Sequence, residues 1–564
     1  MKSAVRRWQL YPAQEAVAER LASHLSVSPL VGQILLNRQI RSLSHAAQFV
    51  TPEDQPCDAL PDDMMRPAVD LITTAIRDKQ RILVYGDYDV DGMTSTSMMI
   101  QSLRRVGANI QFYLPHRFTD GYGLTTQVIP TLQQGNYSLL ITLDCGITNV
   151  KEIAAIREQT GVTVIVVDHH TIPDVVPDAH AIINPKYLSP EDPRTMMCTA
   201  GIVFHLLGAL RKLGNLDINV DSYSDLAALG TIADVVPLVG ENRRIVAAGL
   251  PSLSARSRLG IRKLLEVAGF ERPFVTPRDV GFVIAPRLNA AGRLDSAMRG
   301  VNLLISEDDP AAEEMAKVLN RMNEDRQQIG QSMLQEAMAQ VADDVETESV
   351  LVVRGRNWHA GVIGITASRL VEAHSRPVVI IAEDDEVGRG SARTIGSVNI
   401  YELLKKCQDR FIKFGGHKEA AGFSILPENI ADFKLELQAA AKAQIDANDL
   451  LPILKIDAEV APGLLNLELA EALERLAPFG QGNPPPVFYC NTLRPVEFKK
   501  VGTGDHLKVR FVDPSGKVVV DAIGFGLGQK LDVCHQDQME LAFTVEINHW
   551  RGMRTPQLQL LDIR

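Results

Sequence analysis

Three aspartates at alternate positions, Asp87, Asp89 and Asp91, are the residues of this chain best suited to do chemistry. They directly follow the apolar run Arg81–Tyr85, and two glycines bracket them in the segment Gly86-Asp-Tyr-Asp-Val-Asp-Gly92. Carboxylates packed this closely raise one another's pKa, and a divalent cation removes that penalty because hard cations prefer oxygen ligands. A solvated acidic turn is the alternative, so motifs elsewhere in the chain must decide between the two.

Polar side chains also follow the other short apolar runs of this region. Pro115-His-Arg117 follows Asn109–Leu114, Asp144 follows Tyr137–Leu143, and Asp168-His-His170 follows Val162–Val167. Short apolar runs are typical of parallel strands covered on both faces, and the helical stretches between them predict a doubly wound parallel sheet. Ligands of such sheets bind beyond the carboxyl ends of the strands. We therefore expect these side chains to share one site.

One further carboxylate, Asp234, lies in the otherwise apolar segment Asp225–Leu238. A lone buried carboxylate needs a partner, which is either a metal ion or the backbone amides at a helix end. The predicted metal ligands are Asp87, Asp89, Asp91, Asp144, His169 and Asp234, with His170 adjacent. Oxygen ligands with one imidazole suit Mn²⁺ or Mg²⁺ better than zinc, and such a set can hold two ions with one carboxylate bridging them. Two-metal sites hydrolyse phosphoesters.

Composition narrows the class of protein. The 564 residues predict about three domains. The formal net charge of −11 argues against binding nucleic acid over the whole surface, since such proteins are usually basic. Six cysteines without a C-x-x-C pair suit a reducing cytoplasm and argue against a disulfide framework. We predict no signal peptide and no membrane-spanning segment.

The chain is predicted to form an α/β protein with a small β domain at its end. The predicted segments are a helical lead-in (1–64), a catalytic α/β domain (65–305), a connecting helix (306–345) with Ser306 as its N-cap, a second α/β domain (346–450) and a β-barrel (451–564). Short alternating strands after residue 450, split by turns such as Asp513-Pro-Ser-Gly516, favour an OB-fold. Every predicted ligand precedes residue 450, which predicts a metal site complete without the barrel.

Four of these motifs resemble those of the DHH phosphoesterase superfamily: Gly86-Asp-Tyr-Asp-Val-Asp-Gly92, Asp144-Cys-Gly146, Asp168-His-His170 and Gly230-Thr-Ile-Ala-Asp234. Gly415-Gly-His417 resembles the glycine-rich motif of the DHH-associated domain that follows in many members. With the OB-like domain, the whole chain is similar to the single-strand-specific exonucleases of this superfamily. The resemblance implies Mn²⁺- or Mg²⁺-dependent 5′→3′ degradation of single-stranded DNA to mononucleotides, in recombination and repair.

The resemblance also implies residue roles and partners. Asp144, His169 and His170 would be catalytic, with His170 on the scissile phosphate. The implied substrate-binding residues are Ser391 and Arg393 in a 5′-phosphate pocket, Arg117 opposite them, Arg287 and Asn289 on the DNA path, and Gly415, Gly416 and His417 on a phosphate. The implied partners are single-stranded DNA, single-strand-binding protein and a RecQ-type helicase, for a protein that acts as a cytoplasmic monomer.

Several of these residues have a structural alternative. His169 could be a core histidine, Arg393 could pair with Glu386, and the two glycines before His417 could only form a tight turn. Arg117 could be a surface arginine, and Trp358 suits either base stacking or a core. Two other functions stay open: a DHH phosphoesterase for short oligonucleotides or cyclic dinucleotides, and a non-catalytic relative that binds no metal.

Overall fold

The computed structural model describes residues 6–52, 55–116, 123–342, 345, 347–396, 398–536, 539–550 and 552–564. The chain forms two compact units. We call one the parallel-sheet unit (residues 47–324 and 476–485) and the other the mixed-sheet unit (residues 1–46, 325–475 and 486–564). Among the described residues, no helix combines the length and the apolar character needed to cross a lipid bilayer.

The regular elements are numbered here in chain order. The strands are β1 Arg7–Leu10, β2 Arg81–Gly86, β3 Asn109–Tyr113, β4 Leu139–Leu143, β5 Thr163–Val167, β6 Ala181–Ile183, β7 Leu351–Arg356, β8 Val378–Glu383, β9 Gly388–Arg393, β10 Phe411–Gly416, β11 Ala420–Ile425, β12 Ile453–Ile456, β13 Ala458–Glu459, β14 Phe488–Cys490, β15 Arg494–Val501, β16 His506–Val512, β17 Val519–Gly524, β18 Leu541–Trp550 and β19 Met553–Ile563. The helices are α1 Glu15–Leu25, α2 Pro29–Asn37, α3 Leu43–Val50, α4 Asp62–Arg77, α5 Val90–Arg105, α6 Ile129–Gln134, α7 Val150–Thr160, α8 Thr199–Lys212, α9 Ser224–Ala233, α10 Gly240–Ala255, α11 Leu259–Val267, α12 Pro277–Asp279, α13 Ala285–Leu294, α14 Met298–Ile305, α15 Asp309–Val341, α16 Ile363–His374, α17 Ile400–Lys405, α18 Ile430–Gln444 and α19 Leu467–Glu474.

The parallel-sheet unit contains a five-stranded sheet in the order β3-β2-β4-β5-β6, with every pair parallel. Its central strands β2, β4 and β5 are buried except for the first residue of β2 and of β5, because helices cover both faces. The sequence prediction of a doubly wound parallel sheet is confirmed, with strand ends that differ by at most two residues. The strand order brings the carboxyl ends of β2, β4 and β5 side by side, which is where the predicted ligands begin.

The mixed-sheet unit contains a five-stranded sheet and a seven-stranded sheet. One has the order β10-β11-β9-β8-β7, in which only β7 and β8 are parallel, and the other has the order β13-β14-β18-β19-β17-β16-β15. The short strands that the sequence predicts after residue 450 are present as β14, β16, β17, β18 and β19, whereas β12, β13 and β15 were not predicted. In this unit β1 pairs with β12 in parallel, so the start of the described chain packs with its C-terminal part.

Two local predictions are resolved within the long helix α15 and its neighbours. The proposed N-cap Ser306 is wrong: Asp308 caps the helix instead, since its Oδ1 accepts a hydrogen bond from the Ala311 amide at 2.7 Å. Trp358 is only 7% exposed in the core, and its indole N–H donates to Glu336 at 2.8 Å. Burial and this hydrogen bond remove Trp358 from the candidates for base stacking.

Candidate metal centre

The aspartate segment after β2 is shaped by its own backbone contacts. The Asp87 amide donates to the Leu143 carbonyl at 3.1 Å, which continues the pairing of β2 with β4. Asp89 is the N-cap of α5, and its Oδ1 accepts from the Asp91 and Gly92 amides at 2.9 and 3.1 Å. A Cβ on Gly92 would lie 2.4 Å from the Asp87 carbonyl oxygen, so only glycine lets the helix begin this close to Asp87. The three carboxylates thereby converge.

The N-terminus of α8 holds the buried carboxylate of Asp91. Its two oxygens accept hydrogen bonds from the Thr199 amide at 2.8 Å and the Ala200 amide at 2.7 Å. The Thr199 hydroxyl also donates to Asp144 Oδ1 at 3.0 Å. A helix N-terminus favours anions through its free amides and its dipole. Sequence reasoning missed Thr199 and Ala200 here, because a single sequence does not show which carboxylate the start of a distant helix will meet.

The structure brings all six predicted ligands together. His169 Nε2 lies 3.3 Å from Asp144 Oδ1 and 3.6 Å from Asp234 Oδ2. Three groups have ligand atoms within 4.8 Å of one another: Asp87, Asp89 and Asp144; Asp91, His169 and Asp234; and Asp144, His169 and His170. Asp144 and His169 each belong to two groups. This arrangement fits two neighbouring cations that share a ligand.

The charges of the cluster fit cations and do not fit an empty acidic core. Burial raises the pKa of Asp144 well above its ordinary value, and the charges of Asp91, Asp89 and Asp87 add to this. Burial and the charges of Asp91 and Asp89 raise the pKa of Asp234 to about 9. Burial and the neighbouring His170 lower the pKa of His169 to about 3, so its imidazole is neutral and can act as a ligand. The donor set therefore fits Mn²⁺ or Mg²⁺.

His170 is oriented by the buried carboxylate of Asp168. Asp168 Oδ1 lies 2.7 Å from His170 Nδ1 and accepts the His170 amide at 3.0 Å, while Oδ2 accepts the Ile147 amide at 3.0 Å. Burial opposes the protonation of His170, but the hydrogen bond and charge of Asp168 raise its pKa overall. Asp168 was not among the predicted site residues. It is the positioning partner whose hydrogen bond and charge favour the protonated form of His170.

Ser391 and Arg393 lie on one face of β9, as their spacing predicts. Arg393 Nη1 donates to the Ser391 hydroxyl at 3.1 Å and to the Ala392 carbonyl at 2.8 Å. A Cβ on Gly364, in the first turn of α16, would lie 2.9 Å from Arg393 Nη2 and 3.2 Å from Ser391 Oγ. A guanidinium, a hydroxyl and a helix N-terminus therefore meet where no side chain intervenes, which is an arrangement suited to an anion. We call these residues the end pocket.

The glycine motif lies at the hairpin between β10 and β11. Gly416 has φ +151°, and a Cβ there would lie 2.4 Å from the Ala421 Cα, so the hairpin itself requires this glycine. A Cβ on Gly415 would meet nothing within 4 Å. The His417 amide donates to the Ala420 carbonyl at 2.8 Å, and the segment is exposed. The tight-turn alternative thus accounts for Gly416 and leaves Gly415 without a packing reason.

Helix α13 carries the residues predicted on the DNA path. Arg287 donates to Asn320 Oδ1 at 2.9 Å and to the Val283 carbonyl at 2.8 Å, and Asn289 is half-buried. A Cβ on Gly292 would lie 2.6 Å from the carbonyl oxygen of Tyr88, so α13 packs against the aspartate segment. The remaining predicted residue, Arg117, lies outside the described residues.

A separate group of potential ligands, Cys57, His205 and Glu241, is a hydrogen-bond network. The Leu60 amide donates to His205 Nδ1 at 3.2 Å, which leaves the ring proton on Nε2, facing Glu241 Oε1 at 2.7 Å. A metal on Nε2 would need the other tautomer. Arg244 also donates to both carboxylate oxygens of Glu241 at 2.9 Å. The network connects residues 57–60 to α8 and α10.

Three segments of the chain match profiles of known protein families. Residues 81–231 match the profile of the DHH family N-terminal domain, residues 347–443 that of the DHHA1 domain, and residues 456–562 that of the RecJ OB domain. The matched profiles confirm the predicted fold class, including the C-terminal OB domain.

Curated relatives extend the match over the whole chain. The single-stranded-DNA-specific exonuclease RecJ of Bacillus subtilis is 34% identical over 100% of this chain and 71% of its own length. That of Escherichia coli is 33% identical over 95% of this chain and 96% of its own. The crystal structure of RecJ in complex with Mn²⁺ from Thermus thermophilus matches with a TM-score of 0.86 and 32% identity, covering 100% of this chain and 80% of that one. The Mg²⁺ complex matches with a TM-score of 0.80 and 31% identity, over 99% of this chain and 78% of that one.

Proposed function

The chain belongs to the RecJ family of single-stranded-DNA-specific exonucleases, and from this premise we infer that it is itself a metal-dependent exonuclease that degrades single-stranded DNA. The observation that carries the inference is the convergence of five aspartates and one neutral histidine within one buried cluster. In a relative that binds no metal, the mutual repulsion of these carboxylates would remain uncompensated. The alternative of a metal-free relative is therefore disfavoured by the ligand geometry of the chain itself.

We propose that the cluster holds two ions and that they are Mn²⁺ or Mg²⁺, the metals named for the crystal structures of RecJ from Thermus thermophilus. Asp87, Asp89 and Asp144 would hold one ion, and Asp91, His169 and Asp234 the other. When bound, the ions supply Lewis acidity that activates a water molecule and offsets the negative charge developing on the phosphate. Thr199 and Ala200 keep Asp91 in place through their amides, and so limit its movement as charge redistributes.

The part proposed for His170 follows from its bond to Asp168. Because its pKa is raised and Nδ1 faces Asp168, its Nε2–H can donate to an oxygen of the scissile phosphate. The donated proton lies on the side of the ring away from Asp168. His170 would thus stabilise the growing charge on the phosphate without acting as a metal ligand, while Asp168 fixes the ring orientation.

We further propose that the end pocket binds the terminal 5′ phosphate, which gives 5′→3′ polarity and mononucleotide products. A terminal phosphate carries more charge than an internal diester, and a guanidinium beside a hydroxyl suits it. Arg117, Arg287 and Asn289 would contact the strand, and Gly415, Gly416 and His417 a backbone phosphate. The open space at the Gly415 Cβ position and the pairing of Ser391 with Arg393 support this part of the proposal.

Other parts of the proposal rest on the family alone. They are a role in recombination and repair, a cytoplasmic location, action as a monomer, and partnership with single-strand-binding protein and a RecQ-type helicase. Single-stranded DNA is the substrate in each case. The negative net charge of −11 restricts the binding of DNA to local basic surfaces such as the end pocket.

A time course on end-labelled strands tests the proposal. The 5′ label should appear in mononucleotides at the earliest times, while 3′-labelled strands shorten gradually. Chelation should stop both reactions, and added Mn²⁺ should restore them. Release of internal fragments, or faster cleavage of a dinucleotide than of a long strand, would favour the alternative phosphoesterase.

A further inference from the structure

The turn that follows Asp234 contains a residue in a strained backbone conformation. Asp234 caps the C-terminus of α9, and the next residue, Val235, has φ +60°. A β-branched residue in this left-handed region is strained, and Val235 is 66% exposed, so burial of its side chain does not offset the strain. Strained conformations persist only where the surrounding structure imposes them. Something outside the turn therefore fixes its shape.

The loop of residues 476–485 lies directly against this turn. The Leu238 amide donates to the Gln481 carbonyl at 2.7 Å. A Cβ on Gly480 would lie 2.7 Å from Leu238 Cδ1, and a Cβ on Gly482, which has φ +74°, would lie 3.0 Å from Pro237 Cβ. The two glycines thus let the loop backbone reach the turn. The loop belongs to the parallel-sheet unit, although the chain before Leu476 and after Pro485 belongs to the mixed-sheet unit.

A buried arginine and a buried asparagine hold the loop in its shape. Arg243 of α10 is 2% exposed, and its guanidinium donates to the carbonyls of Leu476, Ala477 and Pro478 at 3.0, 2.6 and 3.1 Å. Asn483 is fully buried, and its Nδ2 donates to the Leu476 and Pro478 carbonyls at 2.8 and 3.0 Å. Because these buried donors are hydrogen-bonded to the loop carbonyls, the network makes the loop a rigid support.

The support continues to the other metal ligands. Asn242 Nδ2 donates to the Pro237 carbonyl at 3.0 Å and to the Met196 carbonyl at 2.8 Å. Met196 lies three residues before Thr199, whose amide and hydroxyl bind Asp91 and Asp144. The Asp234 turn and the start of α8 are therefore fastened to each other next to the loop.

We propose that the 476–485 loop is a positioning element of the metal centre: it fixes the Asp234 turn and thereby couples the C-terminal part of the chain to metal binding. The inference rests on the proposed function only in taking Asp234 as a metal ligand. Coupling of this kind is reciprocal, so bound metal must in turn stabilise the loop. A sequence cut before residue 476 keeps every ligand and loses this support.

Gly482→Ala tests the proposal, because the added methyl meets Pro237 and strains the loop. Gly516→Ala is the matched control: its φ of +72° imposes the same backbone strain, but a Cβ there meets nothing within 4 Å. Titration of full-length protein with Mn²⁺ alone should show binding weakened about tenfold for Gly482→Ala, within the 10- to 100-fold range for residues that support ligands. The control should bind as wild type. For Gly482→Ala, kcat on single strands should fall and recover at high Mn²⁺, with KM for DNA unchanged.

Hydrogen exchange of the wild-type protein provides a second test that needs no variant. Adding Mn²⁺ should slow exchange of the Leu238 amide and of the Gly480 and Asn483 amides, which bond across the loop. Native Mn²⁺ affinity in Gly482→Ala, or loop amides that do not respond to Mn²⁺, would overturn the proposal. Both readouts stand even if the protein fails to degrade DNA, so they separate this inference from the proposed function.

Discussion

The acidic cluster and the end pocket are built from opposite charges by opposite means. The cluster gathers carboxylates whose pKa values are raised by burial and, in addition, by their mutual repulsion, as for Asp144 and Asp234. The end pocket gathers donors: the Arg393 guanidinium, the Ser391 hydroxyl and the first turn of α16. A cluster of repelling carboxylates becomes favourable only with cations, whereas a pocket of donors requires an anion. The difference is the basis on which we propose phosphate cleavage for one site and recognition of the strand end for the other.

The largest expected effect comes from removing the charge of Asp144. Asp144→Asn keeps the size of the side chain but loses the charge of a carboxylate that belongs to one proposed metal group and lies 3.3 Å from His169 of the other, so nuclease activity should disappear. The metal-free variant should also melt at a higher temperature than metal-free wild type, because a repelled buried charge is gone. Asp78→Asn, at an exposed aspartate paired with Arg77, is the control. Activity assays with added Mn²⁺ and thermal melts check both results, and a variant with near-normal activity would refute the assignment of Asp144 as a metal ligand.

The second effect is the dependence of the stability of the metal-free protein on pH. The folded-state pKa of Asp234 is about 9, well above the ordinary carboxyl value, so the fold binds this proton more tightly than the unfolded chain does. The contribution of Asp234 to the stability of the metal-free protein is therefore most favourable below about pH 4. It becomes less favourable as the pH rises from about 4 towards 9. Mn²⁺ should remove the decline. Chemical denaturation with and without chelator, at a series of pH values, measures it, and a flat profile without metal would contradict the repulsion argument.

A smaller effect is expected from Asp168→Asn. The hydrogen bond and charge of Asp168 raise the pKa of His170, and the variant loses both. Because the proposed role requires protonated His170, activity should decline at a lower pH than in wild type as the pH is raised. The rate should fall on the order of 10²-fold, the lower range for a misplaced proton-donating group. Mn²⁺ affinity should stay unchanged, because the ligand groups around Asp144 and His169 do not include Asp168. A drop in Mn²⁺ affinity without a shifted pH profile would place Asp168 among the metal's supports instead.

The smallest effect is the dependence of binding on salt. The negative net charge confines DNA contacts to local basic surfaces, so only a few phosphates are neutralised. Affinity for single strands should fall with a slope of about −0.7 per neutralised phosphate on a double logarithmic plot. Arg393→Ala should reduce the slope by about one such step. Fluorescence anisotropy over a range of salt concentrations measures this slope. An affinity that does not change with salt would mean that stacking dominates binding.

The two sites also differ in how far sequence could predict them. Apart from Asp234, which ends helix α9, the ligands of the acidic cluster follow apolar runs, so their positions after the strands and their convergence followed from sheet geometry. The helix amides that hold Asp91 come from Thr199 and Ala200, over a hundred residues away in the chain. The 476–485 loop is more distant still. A single sequence contains no signal for such pairings, because they depend on how separate segments pack.

Local reasoning likewise placed Ser391 and Arg393 on one face but could not find Gly364, whose missing side chain leaves their space open. It also overlooked Asp168, although the residue stands first in the Asp168-His-His170 motif. A carboxylate at a strand end looks like another ligand until its hydrogen bonds to His170 and the Ile147 amide are seen. The sequence thus predicts which residue types can do the chemistry, whereas the orientation of their side chains is seen only in the structure.

The separation of cleavage from end recognition is tested most directly by Arg393→Ala on two substrates. kcat/KM is measured for wild type and variant on 5′-phosphorylated and 5′-hydroxyl strands, as a double-mutant cycle, with exposed Arg389→Ala on the same strand as control. The phosphorylated substrate should lose about 1.5–3 kcal/mol of transition-state binding, roughly 10- to 150-fold, because a charged hydrogen bond is removed. The 5′-hydroxyl substrate should change little. Equal losses on both substrates would contradict end recognition and make Arg393 a general backbone contact.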